Sequence, residues 1–193
     1  MPGSHTIPIH ESYLLVNTAL GTCGLAWNDS GLTRVQLPEA SAADTEARLR
    51  RRSATRAVVA PRAELTKCVA QLIAYFDGQR VDFADAALDM SALSTFDADV
   101  YHALRRVGWG RTTSYGALSA AVIGAPDAAR AVGVAMARNA WPIIVPCHRV
   151  LAANGAIGGF SAYGGTMTKQ KLLTLEGNGL DMLPLFGSSA LTP

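Results

Sequence analysis

At 193 residues, with 49% hydrophobic and 17% charged residues, the chain has the apolar content of one large or two small packed units and is not an intrinsically disordered sequence. A formal net charge of +2 is too small to mark a nucleic-acid binder by itself, so any basic face must come from local placement. Three scattered cysteines, Cys23, Cys68 and Cys147, argue against a disulfide framework, and no stretch reads as a signal segment or a membrane span, so the expectation is a cytoplasmic protein.

Residues 1–10, MPGSHTIPIH, read as a loose start. From residue 13, YLLVNTALGTCGLAWNDSGLTRVQLPE alternates as strand, turn, strand, turn, strand, with Gly21 at the first turn and Asp29-Ser30-Gly31 at the second. Residues 41–52 read as a helix ending in RLRRR, and Arg48, Arg50, Arg51 and Arg52, with Arg56, are expected to form a solvated face. Leu65, Val69, Leu72, Ile73 and Phe76 then recur at helical spacing, with Gly78 as the stop. Cys68 on that helix and Cys23 in a strand are expected as core. The whole predicts an α/β N-terminal domain, residues 1–90, built on a three-stranded antiparallel sheet with helices.

Residues 91–180 predict a mainly α C-terminal domain. Ser94 or Thr95 can cap a helix whose apolar positions are Phe96, Val100, Leu104 and Val107. Two short helical pieces, YGALSAAV and PDAARAVGVAMARN, joined by IGAP, make a helix-turn-helix candidate. The second is nearly without bulk at Ala128, Ala129, Ala131, Gly133, Ala135 and Ala137, and Arg130 is the one long side chain of its first turns. Such smoothness serves either close packing of another helix or entry into a narrow groove. In the second case the short side chains follow a DNA minor groove and Arg130 enters the base stack as a wedge. Residues 181–193 read as a tail of little periodicity.

PIIVPCHRV places Cys147 beside His148 at what reads as the end of a buried strand. Neighbours on an extended backbone face opposite ways, so a water is expected to join the two. A thiol needs a base, because only the thiolate is a good nucleophile, and the base needs an acceptor on its other nitrogen. Glu176, at the end of TMTKQKLLTLEG, completes a relay of Cys147, water, His148 and Glu176. A cysteine hydrolase would use the same pair, but such sites bring the histidine from a distant segment. The bland alternative is a buried structural cysteine beside a satisfied histidine.

These residues, with TSYGAL, AARAVG, RNAWPIIVPCHRV and NGAIGGFS in order along the chain, resemble the O6-alkylguanine-DNA alkyltransferases, the methylated-DNA–protein-cysteine methyltransferases, over residues 13–177. The resemblance implies a ribonuclease-H-like N-terminal domain and a winged helix-turn-helix in the C-terminal one. It implies DNA repair by direct damage reversal, in which the flipped base gives its O6-alkyl group to a protein cysteine in one irreversible turnover. Carried over residue by residue, Cys147 is the acceptor, with His148 and Glu176 in its relay. Tyr115 rotates the nucleotide and donates a hydrogen bond at the purine, and Asn139 braces the active-site turn. Thr113, Ser114, Tyr115, Ala128, Ala129, Arg130, Ala131 and Gly133 meet DNA, while Trp141, Pro142, Val150, Phe160 and Ser161 line the substrate pocket. The partner implied is double-stranded DNA with O6-alkylguanine, bound through the minor groove by a monomer, with no membrane and no cofactor; O4-alkylthymine stays open as a second substrate. No metal is expected, since His5, His10 and Cys23 lack a ligand spacing. Gly108 stands where many members have proline, and Phe160 where some have tyrosine. A lesion-binding relative without the acceptor cysteine is set aside by the presence of Cys147.

Overall fold

The computed structural model describes residues 11–52, 55–58 and 62–178. The expected loose start with His5 and His10, the tail from residue 181, and the side chains of Arg52 and Arg56 lie outside the described residues. Strands β1 (Glu11–Thr18), β2 (Gly21–Asn28) and β3 (Gly31–Gln36) form the antiparallel meander. Gly31 opens β3 at φ +146°, and a Cβ there would lie 2.6 Å from the Ala87 carbonyl oxygen, so the position needs glycine twice over. A fourth strand, β4 (Thr55–Val58), pairs parallel with β1 and gives the order β3-β2-β1-β4. Four residues are too short to show a period, which is why the sequence reading stops at three strands.

Helices α1 (Ala42–Arg52) and α2 (Ala63–Phe76) complete this half. The buried stripe of α2 is Leu65, Cys68, Leu72, Tyr75 and Phe76, rotated from the expected one, and Ile73 is left exposed. Those five positions stay on one side at 3.6 residues per turn, whereas Ile73 lies 100° from Leu72. Cys68 and Cys23 are core, as expected, and burial pushes their thiols up to about 11 and about 12.

In the second half Ser94 Oγ accepts from the Asp97 N–H and caps α3 (Thr95–Arg105). Helix α4 (Tyr115–Ile123) ends at Gly124, φ +77°, and the chain passes through a 3-10 turn, Pro126–Ala128, into α5 (Ala129–Arg138). The expected single helix from Pro126 therefore starts as a 3-10 turn. Buried Ser119 knits the connection: its hydroxyl donates to the Ala125 carbonyl and accepts from the Ala128 N–H. Strands β5 (Thr113–Ser114) and β6 (Val150–Leu151) pair in parallel, and α6 (Gly165–Leu175) closes the fold.

One cluster of buried apolar side chains runs through both halves, from Leu25 and Leu72 to Val132 and Leu172. Among the hydrogen bonds that cross between them, Val35 N–H donates to the Ala140 carbonyl at 2.8 Å, and Trp141 Nε1 donates to the Leu32 carbonyl at 2.7 Å. No helix among the described residues is long and apolar enough to cross a membrane.

Candidate active site

Helix α5 ends at Arg138, and Asn139 clamps both sides of the turn beyond it. Its Oδ1 accepts from the Trp141 N–H at 2.9 Å, and its Nδ2 donates to the Val145 carbonyl at 2.8 Å. Val145 N–H donates back to the Trp141 carbonyl at 2.8 Å, and Ile143 sits at φ +75°. Ile143, Ile144 and Val145 thus form a tight turn rather than the expected strand. Their β-branched run has strand propensity, but propensity yields to these bonds within the turn and to prolines on either side. A β-branched residue at positive φ costs about 1–3 kcal/mol, and full burial of Ile143 holds it there.

Cys147–Arg149 then make one 3-10 turn. With three residues per turn, successive side chains diverge by about 120°, so Cys147 and His148 face different ways although the backbone is not extended. Cys147 borders a cavity of about 280 Å³ lined by Tyr115, Gly133, Met136, Ala137, Gly159, Phe160 and Ser161. A shallower cleft leads from Cys147 past Asn139, Pro142 and Phe160 to Arg34 and Arg48 of the first half.

His148, with no exposed surface, turns to the seam between the halves. Its Nε2 lies 2.9 Å from Glu176 Oε1 and 3.3 Å from the Tyr75 hydroxyl, which itself donates to Glu176 Oε1 at 2.8 Å. Arg149 grips the same carboxylate with both prongs, Nε to Oε2 and Nη2 to Oε1, each at 2.8 Å, and its Nη1 donates to the Val107 carbonyl. Burial alone would raise the Glu176 pKa, but the hydrogen bonds from His148 and Arg149 outweigh it and bring the group down to about 2. Glu176 is therefore a fixed anion that only accepts.

These bonds fix the proton positions. The single Tyr75 proton goes to Glu176, so His148 Nε2 meets two acceptors and must carry a hydrogen. Burial lowers the His148 pKa more than Glu176 raises it, which keeps the imidazole neutral. Nδ1 is then a bare lone pair, buried without a hydrogen-bond partner among the described residues. The Cys147 thiol is pushed up by burial, against the opposing pull of the Asn139 amide and the Lys169 charge. At rest the pair is thus thiol and neutral imidazole. Buried Lys169 donates to the Val150 carbonyl at 2.6 Å, and burial lowers its pKa.

Of the residues expected at the site, Cys147, His148, Glu176, Asn139 and Tyr115 come together, and Phe160, Ser161 and Pro142 border Cys147. Trp141 and Val150 do not line either opening. Trp141 is buried against Tyr101, held by its bond to Leu32, and the Val150 side chain is core. Thr113 and Ser114 form β5, where Ser114 Oγ caps α4. Ala129, Ala131 and Gly133 lie on α5 and Ala128 in the turn before it; Gly133 also borders the cavity, where a Cβ would lie 3.9 Å from the Tyr115 ring. Arg130 is exposed and bonds to no described side chain. Sequence reasoning missed Tyr75 and Lys169. The signal for Tyr75 was a phenol on the buried stripe of α2, where a hydroxyl needs a partner. Among the described residues no group of three or more metal-ligating side chains stands together.

Comparison with known proteins gives concordant matches. A family model described as 6-O-methylguanine DNA methyltransferase, ribonuclease-like domain, matches residues 11–90, and one described as 6-O-methylguanine DNA methyltransferase, DNA binding domain, matches residues 95–178. A methylated-DNA–protein-cysteine methyltransferase of Mycolicibacterium paratuberculosis is 40% identical over 164 residues, 85% of this chain and 91% of that one. The constitutive methylated-DNA–protein-cysteine methyltransferase of Bacillus subtilis is 36% identical over 165 residues, 85% and 93% of the two chains. The crystal structure of Mycobacterium tuberculosis OGT in complex with DNA superposes with a TM-score of 0.68 at 36% identity, covering 88% of this chain and 94% of that one.

Proposed function

The chain belongs to the 6-O-methylguanine DNA methyltransferase family, and on that premise we propose that Cys147 is the residue that takes the alkyl group from guanine O6. It is a DNA repair protein acting by direct reversal of alkylation, one turnover per molecule. What carries the assignment to Cys147 is its place at the wall of the cavity behind α5, next to a buried histidine with one nitrogen committed and the other bare.

In this reading a bridging water takes the Cys147 proton to Nδ1 of His148, and the imidazolium formed is stabilised by Glu176. The sulfur attacks the alkyl carbon, a carbon–sulfur bond forms as the carbon–O6 bond breaks, and the electron pair leaves with the guanine. That anion is a poor leaving group, so a donor must meet it; Tyr115 borders the same cavity, and burial raises its pKa and keeps the phenol protonated. The thioether product does not return to thiol, which ends the life of the molecule as a catalyst.

The DNA side of the proposal rests on α5. Its exposed start carries small Ala131 and long Arg130, and Gly133 lies between that face and the cavity. A minor groove accepts such a face, and Arg130 fills the place of a base rotated out, offsetting an unstacking cost of a few kcal/mol. Arg130→Ala tests this. Transfer from lesion duplex is expected to fall at least tenfold while transfer from the free alkylated base is kept; equal loss on both substrates would contradict the wedge role.

A further inference from the structure

The hydroxyl nearest the relay comes from the other half of the molecule. Tyr75 lies at the end of α2, a hundred residues before Glu176, and no part of it reaches solvent. We propose that Tyr75 is a positioning residue of the alkyl-transfer relay, through which the N-terminal half fixes the Glu176 carboxylate and the tautomer of His148. The inference rests on the reading of Cys147 as the acceptor and of His148 as its base.

The ring is held on several sides. Phe76 and Trp109 pack edge-on at centroid distances of 5.2 and 5.3 Å, and Phe83 packs at 6.2 Å. Rotation is thereby restricted, and the hydroxyl is aimed at Glu176 Oε1, 2.8 Å away. Once its proton is given, what Tyr75 presents to His148 Nε2 at 3.3 Å is a lone pair. A second acceptor at Nε2 disfavours the tautomer with hydrogen on Nδ1, which could not act as a base. Burial and the Glu176 charge both raise the Tyr75 pKa, so the phenol remains a donor throughout the working range. The charged or titratable groups around the pair are Glu176, Arg149, Lys169 and Cys147. All except Tyr75 come from the C-terminal half, which makes this hydroxyl a physical link from α2 to the chemistry.

The test uses the full chain and Tyr75→Phe, which keeps the ring and its packing. Single-turnover methyl transfer from a duplex with one O6-methylguanine is followed across pH, with affinity for the same duplex, thermal midpoint, and the ring 15N shifts of His148. Loss of a hydrogen bond to a charged group predicts a rate about 10- to 100-fold lower. The acid limb of the pH profile should move to higher pH, because Glu176, freed of one donor, favours the imidazolium more. Duplex affinity should stay at the wild-type value. An unchanged rate and acid limb in the folded variant would overturn the inference and leave Tyr75 as packing. Should the variant not fold, the wild-type spectrum decides: hydrogen on Nε2 supports the assignment, and hydrogen on Nδ1 overturns it. Failure of the wild type to transfer methyl would instead overturn the reading of Cys147, while the tautomer would still be read from the spectrum.

Discussion

Glu176→Gln changes one atom type at the most heavily bonded group of the site, and its cost can be worked out. The carboxylate accepts from Tyr75, His148 and both prongs of Arg149, and its pKa falls from 4.5 to about 2. A group whose folded pKa is depressed adds stability above its unfolded pKa and loses it as pH falls through the folded one. At roughly 1.4 kcal/mol per unit, the depression is worth at most about 3.5 kcal/mol, present at pH 7 and lost between about pH 5 and 2. The amide also turns a donor toward other donors and leaves the buried Arg149 charge unpaired, a change that typically costs about 3–5 kcal/mol. For a chain of this size about 3.5 kcal/mol lowers the thermal midpoint by roughly 7–14 °C. Urea unfolding of both proteins at pH 7, 5 and 3 is the assay. The variant should be less stable by this amount at pH 7, and the gap should close toward pH 3. Equal midpoints at pH 7, or a wild-type loss of stability between pH 5 and 2 that persists in full in the variant, would refute this account of Glu176.

The same contacts set the outcome of three other perturbations. Burial holds the His148 pKa below 6.5, so the unfolded chain takes up its proton first and stability falls as pH drops below about 6.5; in His148→Gln the urea midpoint between pH 7 and 5.5 should lose that slope. Trp141→Phe removes one of two bonds to the buried Leu32 carbonyl, which keeps the one from the Asp89 N–H, and the lost bond should cost about 0.5–1.5 kcal/mol in urea unfolding, with no change in m-value. Gly133→Leu puts a branched side chain into the cavity beside Tyr115, where a Cβ alone already lies in van der Waals contact with the ring at 3.9 Å. Both lesion-duplex binding and methyl transfer should drop at least tenfold at an unchanged thermal midpoint, as read by competition binding and single-turnover kinetics.

The elements that carry a long period were legible in the chain: the strand meander with turns at Gly21 and Gly31, the capped helix after Ser94, and the paired short helices around Gly124. Cys147, His148 and Glu176 were legible as a chemical set because a thiol needs a base and the base needs an acceptor. What local pattern hid is where specific hydrogen bonds override it. Ile143–Val145 carry strand residues, yet the Asn139 amide and the Trp141–Val145 bond fold them into a turn. Trp141 looked like a pocket wall from its position in the motif, but its indole N–H is drawn to a carbonyl in β3 that no local window contains. The partners of Tyr75 and Lys169 were hidden for the same reason: each lies across the fold, at Glu176 and at the Val150 carbonyl.

The central claim, that Cys147 itself ends up with the alkyl group, is tested most directly by intact-protein mass spectrometry after mixing with an equimolar duplex containing one O6-methylguanine. The expected result is a gain of one methylene mass per molecule, mapped by digestion to the peptide holding Cys147 and absent in Cys147→Ala. A lesion that is lost from the DNA without any mass gain, or a methyl group found on Cys23 or Cys68, would contradict it.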